Sequence, residues 1–191
     1  MKRLLTICIM TICMMGSYAQ NIASSCYRAY VDASYTIGMG DYELGRFEVN
    51  TSHGYQISPY FFIGAGVGLH FMPEYETPDM DIALDTRESS VDIPVFANVR
   101  ANLTKGKITP FVDLKGGTYL TNNGGLYANL SIGCRIATST KNGVYIAAGY
   151  TMAKIEFETF DRFTSSSSMD YTRSGRKCDT EGISIKVGYE F

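Results

Sequence analysis

The sequence predicts an all-β fold: an eight-stranded antiparallel up-and-down transmembrane β-barrel, preceded by a cleaved signal peptide. Three observations predict it. Eight successive stretches alternate apolar and polar residues with period two, the signature of strands with one apolar face. Within those stretches every charged residue up to Met152 lies on the polar face. The connections alternate between short turns and long polar segments, as in transmembrane barrels with short turns on one rim and longer loops on the other.

Lys2 and Arg3 precede the apolar run Leu4–Met15, followed by Gly16-Ser-Tyr-Ala19. This is a basic region, a short apolar core and a small-residue cleavage site. Residues 1–19 are therefore expected to be a signal peptide, cut after Ala19, with 20–191 forming one barrel domain. The apolar run falls short of the roughly 20 residues a helix needs to cross a bilayer. Met10-Thr-Ile-Cys13 does not fit a lipoprotein signal, and no other apolar run approaches spanning length. Insertion in lipid must then be as a closed barrel, where every backbone group has an internal partner.

In the first strand Ala29, Val31, Ala33, Tyr35 and Ile37 oppose Arg28, Tyr30, Asp32, Ser34 and Thr36. The second sets Phe47, Val49, Thr51, His53 and Tyr55 against Arg46, Glu48, Asn50, Ser52 and Gly54. After the Ser58-Pro59 reversal, the third sets Phe61, Ile63, Ala65, Val67 and Leu69 against Phe62, Gly64, Gly66, Gly68 and His70. A long loop is expected over 72–89. The fourth strand opposes Val91, Ile93, Val95, Ala97 and Val99 to Asp92, Pro94, Phe96, Asn98 and Arg100. The fifth opposes Val112 and Leu114 to Phe111, Asp113, Lys115 and Tyr119. The sixth, after the turn at 122–125, opposes Leu130, Ile132 and Cys134 to Tyr127, Asn129 and Arg135. The seventh runs from Val144. Beyond Met152 its apolar phase passes to Ile155 and Phe157, which reads as a bulge or an exit from the membrane. A second long loop is expected over 159–180. The last strand sets Ile183, Ile185, Val187, Tyr189 and Phe191 against Gly182, Ser184, Lys186, Gly188 and Glu190.

Alternation alone does not say which face is inside. A soluble lipocalin-like barrel would put the apolar face within. The glycines decide between them, because Gly64, Gly66, Gly68, Gly117, Gly133 and Gly188 mostly share the charged face. A narrow lumen needs small residues beside long charged ones, whereas a solvated exterior does not. The expected lumen charge network is Arg28, Asp32, Arg46, Glu48, Asp92, Arg100, Asp113, Lys115, Arg135, Lys186 and Glu190. Opposite charges pair there, relieving the cost of burying each alone. Tyr30, Phe62, Phe96, Tyr119 and Tyr127 fill the remaining space, leaving a packed lumen rather than an open pore.

The alternating strands and the terminal aromatic resemble the small eight-stranded Gram-negative outer-membrane barrels of the OmpA transmembrane-domain and OmpX type. The resemblance covers nearly the whole mature chain. It implies a cell outer membrane location, contact with outer-membrane lipid and lipopolysaccharide, and a monomer. It also implies that Ile183, Ile185, Val187, Tyr189 and Phe191 are the assembly signal read by the barrel-insertion machinery. The role it implies is structural or surface-interacting, without catalysis, with surface ligands reached through loops 72–89 and 159–180. The alternatives are a loop-mediated adhesin or ligand-binding protein, a lipid-modifying enzyme, a narrow porin, and the soluble barrel.

Other chemistry is thinly supported. The mature chain carries 15 Lys+Arg, after Lys2 and Arg3 are removed from 17, against 19 Asp+Glu, so no basic footprint points to nucleic acid. Gly64-Ala-Gly-Val-Gly68 has the wrong spacing for a phosphate loop. His53 adjoins Ser52, but neighbouring strand residues face opposite sides, and His70 points inward. Asp79, Asp81 and Asp85 depart from an EF-hand and read as solvated, so no metal or cofactor is expected. Arg173, Arg176 and Lys177 are candidates for touching lipopolysaccharide phosphates. Cys26, Cys134 and Cys178 are expected as free thiols, Cys134 on the lipid face and Cys178 open to an intermolecular bond.

Overall fold

A computed structural model of the chain describes residues 26–76, 83–121, 125–139, 142–165 and 168–191. The signal-peptide reading of 1–19 and the first residues of the barrel domain lie outside the described residues. The strands are β1 Cys26–Met39, β2 Arg46–Gln56, β3 Phe61–Met72, β4 Tyr75–Glu76, β5 Ala83–Arg87, β6 Ser90–Asp92, β7 Pro94–Asn102, β8 Ile108–Tyr119, β9 Leu126–Ala137, β10 Gly143–Ser165 and β11 Ser168–Glu190.

Eight antiparallel staves close on themselves, since β11 pairs with both β10 and β1. The fourth stave is β6 with β7. Both hold one register on β3, Asp92 opposite His70 and Val95 opposite Val67. The ladder breaks between them at Ile93-Pro94, where Pro94 has no N–H to give. Ile93 turns its backbone to the β8 side instead, accepting from Leu120 N at 2.8 Å and donating to Thr121 Oγ1 at 3.0 Å.

The register fixes the barrel's geometry. One circuit of paired residues runs Ala29, His53, Ala65, Ala97, Gly116, Ala128, Met152, Glu181 and back to β1 at Met39. It returns ten residues from its start (39 − 29). Eight strands with that stagger tilt roughly 40° at ordinary strand spacing and rise. Ten residues so tilted climb about 26 Å, close to the apolar height of a transmembrane barrel.

Burial is inside out over this height. Exposed side chains are apolar, among them Tyr35, Ile63, Leu114, Leu130, Ile132, Ile146 and Ile185, while Asp32, Glu48, Arg100, Asp113 and Lys115 are almost wholly buried. Above the band the pattern inverts. Leu44, Met72, Phe96, Tyr119, Tyr127, Ala153, Ile155, Phe157 and Cys178 form an inward apolar cluster, while Lys154 and Asp179 face out and pair at 3.4 Å.

Two expected loops are corrected. Within 159–180 the described residues 159–165 and 168–180 are strand, because β10 and β11 pair without interruption from Gly143–Glu190 to Ser165–Ser168. The segment 72–89 contains the β4–β5 hairpin, and β5 adds to β10 with Glu158 opposite Thr86 and Asp161 opposite Ala83. A four-stranded sheet, β4-β5-β10-β11, thus projects past the barrel. The bulge expected beyond Met152 is also absent, since the register passes through unbroken. What changes there is which side of the strand carries the apolar residues, not the backbone.

Candidate functional site

The lumen is the best-built part of the molecule. Strand parity aims the even-numbered residues of β1 and β2 inward, and the same rule applied to each stave brings the charged groups of the barrel together on the axis. At the short-turn end Arg100 is wedged among Tyr30, Phe111 and Tyr145, with its guanidinium 4.0, 4.3 and 4.4 Å from their ring centres. Phe62 meets Tyr30 edge to face at 4.8 Å. Glycines make this packing possible: a Cβ at Gly188 would strike the Tyr145 ring, and one at Gly66 the Phe96 ring. Below this aromatic plug, Arg28 and Arg135 share Glu190, the first at 2.8 Å.

The middle layer is ionic. Asp32 accepts from Lys115 at 2.7 Å, from Tyr145 at 3.1 Å and from Asn50 at 3.3 Å. Asp113 pairs with Arg100 at 3.0 Å and accepts from Asn98 at 2.9 Å. Lys186 donates to Asn129 Oδ1 at 2.6 Å, and Asn129 donates in turn to Thr151 and Ser184. Nearer the projecting sheet, Glu48 binds Arg46 at 2.6 Å and Thr36 at 3.1 Å, with His70 3.7 Å away. Arg87 closes the top on Asp92 at 2.7 Å. Arg100 Nη1, Asp113 Oδ2 and Ser131 Oγ are buried without a protein partner, groups of the kind that ordered water satisfies.

All eleven charged side chains singled out from the sequence therefore face this interior. Ile183, Ile185, Val187, Tyr189 and Phe191 lie together on the outside of β11, all substantially exposed. Sequence reasoning placed Phe111 on the inward face without a role there, and missed Tyr145 and Arg87. Tyr145 and Phe111 cage Arg100, and the inward parity of both strands was the available signal. Arg87 fell within an expected loop, and only its pairing on β5 brings it back to Asp92.

The two histidines sit in different environments. His70 is buried against Tyr119 at 2.9 Å and Asn50 at 3.2 Å. His53 is outside, between Tyr27 at 2.6 Å and Thr51 at 2.9 Å. Neither shares a hydrogen bond with a serine. Asp79 and Asp81 lie outside the described residues, and Asp85 is held by Tyr42 at 2.8 Å. No group of three metal-ligating side chains occurs among the described residues. The side chain of Arg173 lies outside the described residues, while Arg176 and Lys177 are exposed.

The cap over the lumen is aromatic. Tyr42 packs on Phe157 at 4.8 Å and Tyr75 at 6.1 Å. A hydrogen bond with Cys178, burial and the bond to Asp85 push the Tyr42 phenol well above its ordinary value. Cys178 is buried in this cap, which corrects its expected availability for an intermolecular bond. Cys26 is exposed, Cys134 is half-buried, and all three are free thiols.

No protein-family model matches the chain, and no curated protein matches it in sequence. Among solved structures, it is similar to Neisserial surface protein A, 13% identical, with a TM-score of 0.48 over 87% of this chain and 97% of that one.

Proposed function

We propose that this chain is an outer-membrane β-barrel protein with a structural and surface-interaction role, inserted through its apolar band and neither a catalyst nor a pore. The observation that carries the reading is the double inversion of burial. Apolar side chains face out over about 25 Å of height, and beyond it they face in. That is the pattern of a chain that crosses hydrocarbon and then stands in water. The packed interior speaks against transport, since rings and paired charges occupy the width that an eight-stranded barrel leaves. In this reading the short turns are periplasmic and the β4-β5-β10-β11 sheet stands at the cell surface as the contact platform. The outward row Ile183 to Phe191 serves as the assembly signal.

The test is insertion. Refolded into phospholipid vesicles, the protein is expected to run as a heat-modifiable band and to stay with the vesicles after a carbonate wash, without conducting ions in planar bilayers. A water-soluble folded monomer without detergent would overturn the membrane reading. Steady single-channel currents would overturn the packed lumen.

A further inference from the structure

The outer wall near the short turns is not evenly filled. Ala33, Cys134 and Ala148 are small outward residues among Ile132, Ile146, Ile185 and Val187, so the surface dips there. Two apolar grooves result. One, of about 620 Å³, runs between Leu103, Pro110, Val112 and Ile132 toward Ala148 and Ile185. The other, of about 520 Å³, runs between Val31, Ala33, Ile136, Val144 and Tyr189. They meet at Cys134 and Ile146, which line both.

Apolar relief alone selects nothing in a bilayer, because bulk acyl chains are as apolar as the protein surface. Selection needs a headgroup contact, and the mouths of the grooves supply one. The backbone oxygen of Lys107 accepts from Ala137 N at 2.7 Å. That bond fixes Lys107 where the β7–β8 turn touches the end of β9, next to Ile136 of the second groove, in the same turn as Leu103 of the first. Lys107 and Lys105 are both exposed, and Lys105 lies 4.8 Å over the Tyr60 ring. None of the three turn sequences, 57–60, 103–107 and 138–142, contains Asp or Glu. Glu190, near the same rim, is engaged by Arg28 and Arg135.

We propose that this face binds one anionic diacyl phospholipid, its phosphate on Lys107 with Lys105 adding charge, and one acyl chain in each groove. The site rests on the membrane reading above and places the lipid in the periplasmic leaflet. Two lysines at a membrane surface are expected to favour an anionic over a zwitterionic lipid about thirtyfold.

Native mass spectrometry of the full-length mature barrel, in micelles holding equal amounts of phosphatidylglycerol and phosphatidylethanolamine, tests it. One phosphatidylglycerol adduct is expected to dominate. Lys107→Gln is expected to cut the preference to about fivefold, and with Lys105→Gln to abolish it. Ala148→Phe, which fills a groove, is expected to weaken retention of both lipids while the band stays heat-modifiable. Equal adducts on the wild type, or an unchanged preference in the double lysine variant, would overturn the site and leave the membrane reading standing. A dimer that persists without lipid would assign the troughs to a second copy instead. Failure to enter vesicles overturns the membrane reading itself, and the site with it.

Discussion

Arg100 shows how one residue sets the terms for its neighbours. It is buried beside Asp113 and ringed by three aromatic faces. Removing one partner of a buried pair strands the other charge, a cost of about 3–5 kcal/mol, whereas replacing both with apolar residues is often neutral. Asp113→Ala is therefore expected to lower the urea midpoint of the micelle-folded barrel markedly, and Arg100→Met with Asp113→Leu to recover most of the loss. Equal destabilisation by the single and double variants would show that the rings, not the carboxylate, hold the arginine. Tyr42 gives a second prediction, outside the band. A phenol whose folded pKa is raised contributes fully below the ordinary tyrosine value of about 10, and its contribution is lost as pH rises through the folded value. Cleavage of the wild type after Arg87 by trypsin should thus be slow and unchanged from pH 6 to 9 after correction for enzyme activity. Tyr42→Phe should raise it throughout that window.

At the scale of elements, the staves were legible and the projections were not, for one physical reason. Alternation reports which face meets apolar surroundings. Inside the band that face is outward, so Val31 to Ile37 on β1 and Ile183 to Phe191 on β11 read cleanly. Where β10 leaves the band, the apolar face becomes inward, and Ile155 and Phe157 take the parity that Thr151 holds below. Read against a fixed frame, that is a phase error, and the polar run after it looks like a loop. The serine run 165–168 reinforces the misreading, while the cross-strand matches Lys154–Asp179 and Glu156–Lys177 carry the strand signal. Pairing has a measurable consequence. Arg176 and Lys177 lie in a continuous ladder, so trypsin should leave the folded hairpin uncut under conditions that digest the heat-unfolded form. Rapid cutting at both sites would return this stretch to a loop.

The whole molecule is an axial stack whose two ends differ. One end has three short turns, with Lys105 and Lys107 beside the groove mouths. The other carries a sheet with Asp41, Glu43, Glu74, Glu76, Asp179 and Glu181 about its base. Insertion machinery and lipid act on such an object by direction, so orientation is the property on which the functional reading stands. In the proposed reading the chain arrives from the periplasm and the sheet crosses as the barrel closes, so that the short turns stay behind. Closure depends on β11 pairing with β1 through ten registered positions, Tyr30–Glu190 to Met39–Glu181. That reading predicts the orientation to be tested: the β10–β11 end toward the medium and the β7–β8 turn toward the periplasm. An epitope inserted between Ser165 and Ser168 should be stained on intact cells, whereas the same epitope after Lys105 should be stained only once the outer membrane is permeabilised. Both insertions lie in connections rather than in the ladder, so each variant is expected to keep the heat-modifiable band that certifies folding. Staining of intact cells through the Lys105 insertion alone would invert the molecule, moving the phospholipid grooves to the outer leaflet and the sheet to the periplasm.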